Sequence, residues 1–178
     1  MKIQSSASKE RLRQIRCIVM DVDGVLSDGK ITYSSTGEEL KSFNVKDGLG
    51  ISLALKAGMQ LAIITARTSA MVEQRAVDLK IQHVFQGIKN KLPTLTQLAS
   101  STEIPLTEML YIGDDLPDLP CMRAVALSAC PADSDREVLA QCDLISAFNG
   151  GDGAVREIIT FVLDAQSVDL IGITTPVY

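Results

Sequence analysis

Five short apolar runs recur along the chain: IRCIVMD (15–21), MQLAIIT (59–65), HVFQG (83–87), MLYIGD (109–114) and AVALSA (124–129). Continuous apolar runs of this length suit strands buried on both faces, the condition of a parallel sheet. Helical patterns fill the intervals. GISLALKAG places Ile51, Ala54 and Leu55 at helical spacing with Gly58 as its stop. Ser69 is positioned to cap SAMVEQRAVDLK, whose Val72, Ala76 and Leu79 share a face, and KLPTLTQLAS repeats the pattern with Leu92, Leu95 and Leu98. SDREVLAQC and GAVREIITFVLDAQ supply two later helices. Strand and helix in alternation imply right-handed crossovers, hence an α/β, doubly wound parallel sheet. At 178 residues one domain spanning 1–178 is expected, large enough for a core without staples.

One segment interrupts the alternation. KITYSSTGEELKSFNVKDG (30–48) carries Ile31 and Tyr33 on one arm, a turn cluster, and Phe43 and Val45 on the other, which predicts a β-hairpin insertion over about 30–47. A hairpin alone is marginal in water, so this one must lie against its own domain or against another subunit. The tail, about 166–178, is either a loose end or an arm reaching a partner's active site.

Seventeen basic against 22 acidic residues give a net charge of −5, which argues against a nucleic-acid partner. No apolar run approaches the roughly 18 residues of a membrane span. Cys17, Cys121, Cys130 and Cys142 lack metal-type spacing and read as reduced thiols of a cytoplasmic protein.

In an open α/β sheet ligands bind beyond the carboxyl ends of the strands, so the polar residues there are the candidates. Asp21 and Asp23 follow the first run, two carboxylates at i, i+2 on one side of an extended chain, and their repulsion calls for a cation. Thr65 and Arg67 end the second, Lys91 opens a helix after the third, and Asp114, Asp115 and Asp118 follow the fourth. Any one of these could be a turn, a cap or a solvated side chain; what marks them is their convergence on one edge. Carboxylates beside a lysine and a hydroxyl suit a hard cation working on a phosphate. His83 stands alone at a strand start, and no GxSxG, Walker or GxGxxG motif is present, which leaves an aspartate as nucleophile.

DVDGVLSDG, Thr65, Lys91 and GDDLPD, in that order, resemble the haloacid dehalogenase superfamily of phosphohydrolases over nearly the whole chain. Within it the hairpin, the phrase FNVKDGLGI, and QRAVDLKI followed by HVFQGIKNK are similar to the family of 3-deoxy-D-manno-octulosonate 8-phosphate (KDO 8-phosphate) phosphatases, which lack a large cap domain. Ala66 departs from the glycine expected in ITGR, by one methyl group.

The resemblance implies a phosphoric monoester hydrolase of lipopolysaccharide biosynthesis that acts on a small phosphorylated acid sugar through an aspartyl phosphate. Asp21 would be the nucleophile and Asp23 the general acid, then base. Mg²⁺ would be held by the Asp21 carboxylate, the Asp23 main-chain carbonyl and the Asp114 carboxylate. Thr65 and Lys91 would hold phosphoryl oxygens, Arg67 and Arg75 would meet the sugar carboxylate, and Asp115 and Asp118 would orient the metal's surroundings or Lys91. It further implies a homotetramer assembled through the hairpins. A related substrate such as N-acylneuraminate 9-phosphate is the nearest alternative. A receiver-like signalling domain is a distant one, since receivers place the phospho-acceptor on a middle strand whereas here the acid pair opens the chain.

Overall fold

A computed structural model of the protein describes residues 1–3, 9–37 and 39–174. In chain order the elements are β1 (Lys2–Ile3), α1 (Lys9–Gln14), β2 (Cys17–Met20), β3 (Thr32–Tyr33), β4 (Glu39–Leu40), α2 (Val45–Lys56), β5 (Gln60–Ile64), α3 (Ala70–Leu79), β6 (His83–Phe85), α4 (Lys91–Thr102), β7 (Met109–Ile112), α5 (Leu119–Ala124), β8 (Leu127–Cys130), α6 (Arg136–Gln141), β9 (Leu144–Ile145) and α7 (Ala154–Ala165).

Seven strands form the main sheet in the order β1-β9-β8-β7-β2-β5-β6, parallel throughout except for β1, which runs antiparallel to β9. From β2 the chain winds outward through β5 and β6, returns to β7 on the other side of β2, and winds outward again. The direction of winding therefore reverses between β2 and β7, where a doubly wound sheet opens its binding crevice.

The five apolar runs form β2, β5, β6, β7 and β8. Every residue of β2, β7 and β8 is buried, and the period-2 pleat sorts them between two cores. Ile18, Met20, Leu110 and Ile112 face α1, α2, α3 and α7, whereas Cys17, Val19, Met109 and Tyr111 face α4, α5 and α6. The two-residue strands β1 and β9 were not foreseen, being too short to show a period.

The hairpin is smaller than its sequence suggests. Its arms are β3 and β4, with Thr32 opposite Leu40 and Tyr33 opposite Glu39, and Glu38 lies outside the described residues. Phe43 and Val45, expected on the second arm, are not in it: Asn44 is extended, its side chain accepts the Lys46 N–H at 2.8 Å, and α2 begins at Val45. Ser69 stands at the N-cap of α3 as expected, but its side chain makes no capping bond. Through residue 174 the tail folds back on its own domain, Val168, Leu170 and Ile173 packing on the core and Lys56 Nζ donating to the Ile173 carbonyl at 3.3 Å. The remainder of the tail, 175–178, lies outside the described residues.

Candidate active site

Asp21 follows β2 directly, and its N–H donates to the Ile112 carbonyl at 3.0 Å, which locks it beside the end of β7. Thr65 directly follows β5, Lys91 opens α4, and Asp114 follows Gly113 just after β7. With Asp23, Ala66, Arg67, Asp115, Pro117 and Asp118 these residues line a cavity of about 190 Å³ at the winding reversal. Larger hollows elsewhere lack this constellation. The structure thus brings together every candidate from the sequence except Arg75.

Lys91 is its electrostatic pivot. Only 2% exposed, Lys91 Nζ lies 2.7 Å from Asp21 Oδ2 and donates to Asp118 Oδ1 at 2.7 Å. Burial by itself would lower the pKa of this ammonium, but the two carboxylates outweigh it and the net displacement is upward. Asp118, fully buried, also accepts the Tyr111 hydroxyl at 2.9 Å on Oδ1, while its Oδ2 takes the N–H groups of Asp114 and Asp115 at 3.1 and 3.4 Å. Its two oxygens are therefore committed to fixing Lys91 and the Asp114 loop. Asp115, exposed, caps the turn that follows by accepting the Leu116 N–H at 2.7 Å. Tyr111 escaped the sequence reading because a tyrosine within MLYI looks like core; the need of a buried hydroxyl for a partner was the available signal.

Asp21 Oδ1 accepts the Val22 N–H at 2.7 Å, and burial, with the Asp118 charge next, raises its pKa to about 6. Asp114 is driven further, to about 8, by burial and then by the charges of Asp118, Asp21 and Asp115. Its Oδ1 is buried with no hydrogen-bond partner. Carboxylate oxygens of Asp21, Asp114 and Asp118 lie within 4.8 Å of one another. An orphaned carboxylate oxygen beside a second carboxylate, with hard oxygen donors throughout, fits a divalent cation such as Mg²⁺. Gly24, at φ +86°, makes the room: a Cβ there would fall 2.0 Å from Asp114 Oδ2.

Asp23 stands at the cavity mouth within a group of charges. Lys41, just past β4, contacts its Oδ1, and Arg67 Nε lies 3.8 Å from its Oδ2. Arg67 also donates through Nη2 to Glu39 Oε1 at 3.1 Å. Lys41 and Glu39 were not anticipated, since nothing in a turn-rich segment tells which side chains fold back over a distant strand end. Arg75 stands apart from the cavity: its guanidinium lies over the Phe43 ring, 5.6 Å from the centroid, and donates to the Asn44 carbonyl at 3.2 Å, bracing α3 against the start of α2.

Residues 80–158 match the family model described as haloacid dehalogenase-like hydrolase. The 3-deoxy-D-manno-octulosonate 8-phosphate phosphatase of Escherichia coli is 44% identical over 156 residues, which span 88% of this chain and 83% of that protein. A crystal structure of the phosphatase of the same name from Yersinia pestis superposes with a TM-score of 0.89 at 41% identity, covering 92% of this chain and 88% of that one. The Moraxella catarrhalis phosphatase, in complex with magnesium ion, phosphate ion and KDO, gives 0.87 at 43% identity, with 89% of this chain and 91% of that one covered. The chain belongs to the haloacid dehalogenase-like hydrolases, within the family of 3-deoxy-D-manno-octulosonate 8-phosphate phosphatases.

Proposed function

We propose that the protein is a Mg²⁺-dependent phosphomonoesterase that hydrolyses 3-deoxy-D-manno-octulosonate 8-phosphate to the free sugar acid and phosphate. The observation that carries this reading is Lys91 Nζ, held 2.7 Å from both Asp21 and Asp118 beside the orphaned oxygen of Asp114. The phosphatase activity of the Escherichia coli relative and the magnesium, phosphate and KDO of the Moraxella complex support the substrate and the metal.

Asp21 attacks phosphorus through a carboxylate oxygen, and the ester bond to the sugar breaks as Asp23 gives its proton to the departing oxygen. The product is an aspartyl phosphate. Asp23, now ionised, takes a proton from the water that attacks phosphorus, and the acyl–phosphate bond breaks to return Asp21. Lys91 and the Thr65 hydroxyl bind the phosphoryl oxygens and hold them in line. The Asp21 and Asp114 carboxylates with the Asp23 main-chain carbonyl would hold Mg²⁺. When bound, the ion neutralises the repulsion between the Asp21 carboxylate and the phosphate dianion. Asp118 orients Lys91, and Arg67 at the mouth meets the sugar acid.

Phosphate release from a panel of acid-sugar phosphates, with and without Mg²⁺, tests this. The wild type is expected to turn over the octulosonate ester only with the metal, and Asp21→Asn to be inactive. Equal release by the variant would refute the nucleophile. Preference for N-acylneuraminate 9-phosphate would change the substrate alone.

We further place the enzyme in the cytoplasm, as a homotetramer joined through its hairpins. Four free, buried cysteines support the compartment. Exposed apolar residues along the hairpin support the assembly. Among the described residues no helix is long and apolar enough to cross a membrane.

A further inference from the structure

The hairpin does more than present an outer surface, because its second arm turns a lysine inward. Lys41 is a long cationic side chain immediately after a strand that is itself part-exposed, yet its own side chain is only 2% exposed. Lysine is almost never buried without partners. Here the partners are Asp23 Oδ1, in direct contact, and Glu39 Oε1 at 3.9 Å. Arg67 closes the figure from the far side, 3.8 Å from Asp23 Oδ2 and 3.1 Å from Glu39. Lys41 thus holds Oδ1, whereas Arg67 Nε makes no hydrogen bond to Oδ2 and leaves that oxygen to carry the proton, and both cations share Glu39. Two acids and two bases balance, so the lattice fixes a direction for Asp23 without adding net positive charge to the cavity mouth.

We propose that Lys41 is a positioning residue that holds the Asp23 carboxyl in line with the leaving-group oxygen, so that docking of the hairpin is a condition for proton transfer. The inference rests on Asp23 being the general acid, as put forward above. Asp23 opens the turn that runs through Gly24, and its remaining side-chain contact is the Ser27 hydroxyl at 3.4 Å, too long to orient it strictly. A general acid is effective only when its proton lies within hydrogen-bond reach of the departing atom. Lys41 supplies that constraint from an element that contributes nothing to phosphate or metal binding.

A group that acts through the general acid can be told from a merely structural one by leaving-group dependence. An alkoxide must be protonated as it leaves, whereas p-nitrophenolate departs with little help. Single-turnover phosphorylation is to be followed for Lys41→Met and Lys41→Arg with a sugar phosphate and with p-nitrophenyl phosphate, reading the nitrophenol burst for the latter. Lys41→Met is expected to slow the sugar ester by about a hundredfold, in the range of a lost general acid. The nitrophenyl burst should stay within about threefold of wild type, and so should the KM for either ester and the affinity for Mg²⁺. Lys41→Arg should recover most of the lost rate. The retained nitrophenyl burst and Mg²⁺ affinity of Lys41→Met, with rescue by Lys41→Arg, show that the variant is folded.

Equal slowing of both esters, or none, would overturn the inference. Asp23→Asn is the control that separates the two readings. If it shows the leaving-group discrimination and Lys41→Met does not, only the role of Lys41 is lost; if Asp23→Asn shows none, the general-acid assignment fails with it.

Discussion

Asp114 is the residue in the cavity that most needs a cation. With Asp21 and Asp118 it sets three carboxylates against the single ammonium of Lys91, and its Oδ1 meets no donor. A carboxyl lifted from its ordinary 3.8 to about 8 keeps its proton in the folded chain over a range in which the unfolded chain has lost it. The metal-free protein is therefore most stable, as far as this group decides, below 3.8, and loses that stability as pH rises towards 8. Asp21, at about 6, acts in the same direction. A divalent cation competes with the proton for Asp114, so binding releases protons and gains strength as pH rises. The increase in melting temperature caused by Mg²⁺ should accordingly grow between pH 6 and about 8, measured by thermal denaturation with and without the ion. A gain that is flat or falls over that interval would remove Asp114 from the metal site. The convergence of the acids and Thr65 was legible in the sequence because each follows a buried strand, whose end is fixed by the sheet, and that of Lys91 because it opens the helix after β6. Tyr111, Glu39 and Lys41 were not, because their roles depend on which distant group a side chain meets, and no local period encodes that.

The parallel strands were readable for a simple reason: burial on both faces leaves a run of apolar residues that no loop would carry. The hairpin's second arm was misread for an equally physical one, since Phe43 and Val45 stand two apart as in a strand, while the Asn44 cap that starts α2 at Val45 is a stronger local determinant. A further element went unnoticed, the glycine-rich turn FNGGDGA after β9. Its Gly151 N–H donates to the Val25 carbonyl at 2.9 Å, and a Cβ on Gly150 would fall 1.9 Å from the Gly24 carbonyl oxygen. On its other side Asp47, buried in the first turn of α2, accepts the N–H groups of Gly153 and Arg156 at 3.3 and 2.8 Å and so fastens the start of α7. This turn is the backing of the Asp23–Gly24 loop, whose Asp23 carbonyl is one of the proposed metal ligands. Gly150→Ala must push that loop forward, because the atom in the way is backbone. Mg²⁺ affinity is expected to fall at least tenfold, about 1.4 kcal/mol, with phosphate release restored in part by excess metal. Unaltered metal affinity, measured by calorimetric titration, would show that the loop yields without cost.

At the scale of the molecule the net charge of −5 misrepresents what a substrate meets. Several of the acids are committed to Lys91, Lys41, Arg67 and a cation site, and the cavity mouth is balanced. What the fold leaves unbalanced is apolar surface. Ile31 is 49% exposed, Tyr33 63% and Leu40 53%, all on or beside two strands of two residues each, and Val45, 80% exposed, opens α2 close behind them in the chain. Two such short strands cannot sustain themselves in water, and here the ion pairs of Glu39 and Lys41 tie the second to the domain. Burying these side chains between copies would contribute roughly 1.5–3 kcal/mol for each large aliphatic one fully covered, enough to hold hairpins together and to press Lys41 onto Asp23. Assembly and proton donation should then be coupled. Replacing Ile31 and Leu40 by serine is expected to lower the mass seen by light scattering below that of a tetramer. Because neither residue touches the cavity, Mg²⁺ affinity should be kept, while turnover of the sugar ester drops more than that of p-nitrophenyl phosphate. A double variant of unchanged mass would refute assembly through the hairpin, and one that dissociates with both esters turned over as before would show that the arm holds its place on Asp23 within a single chain.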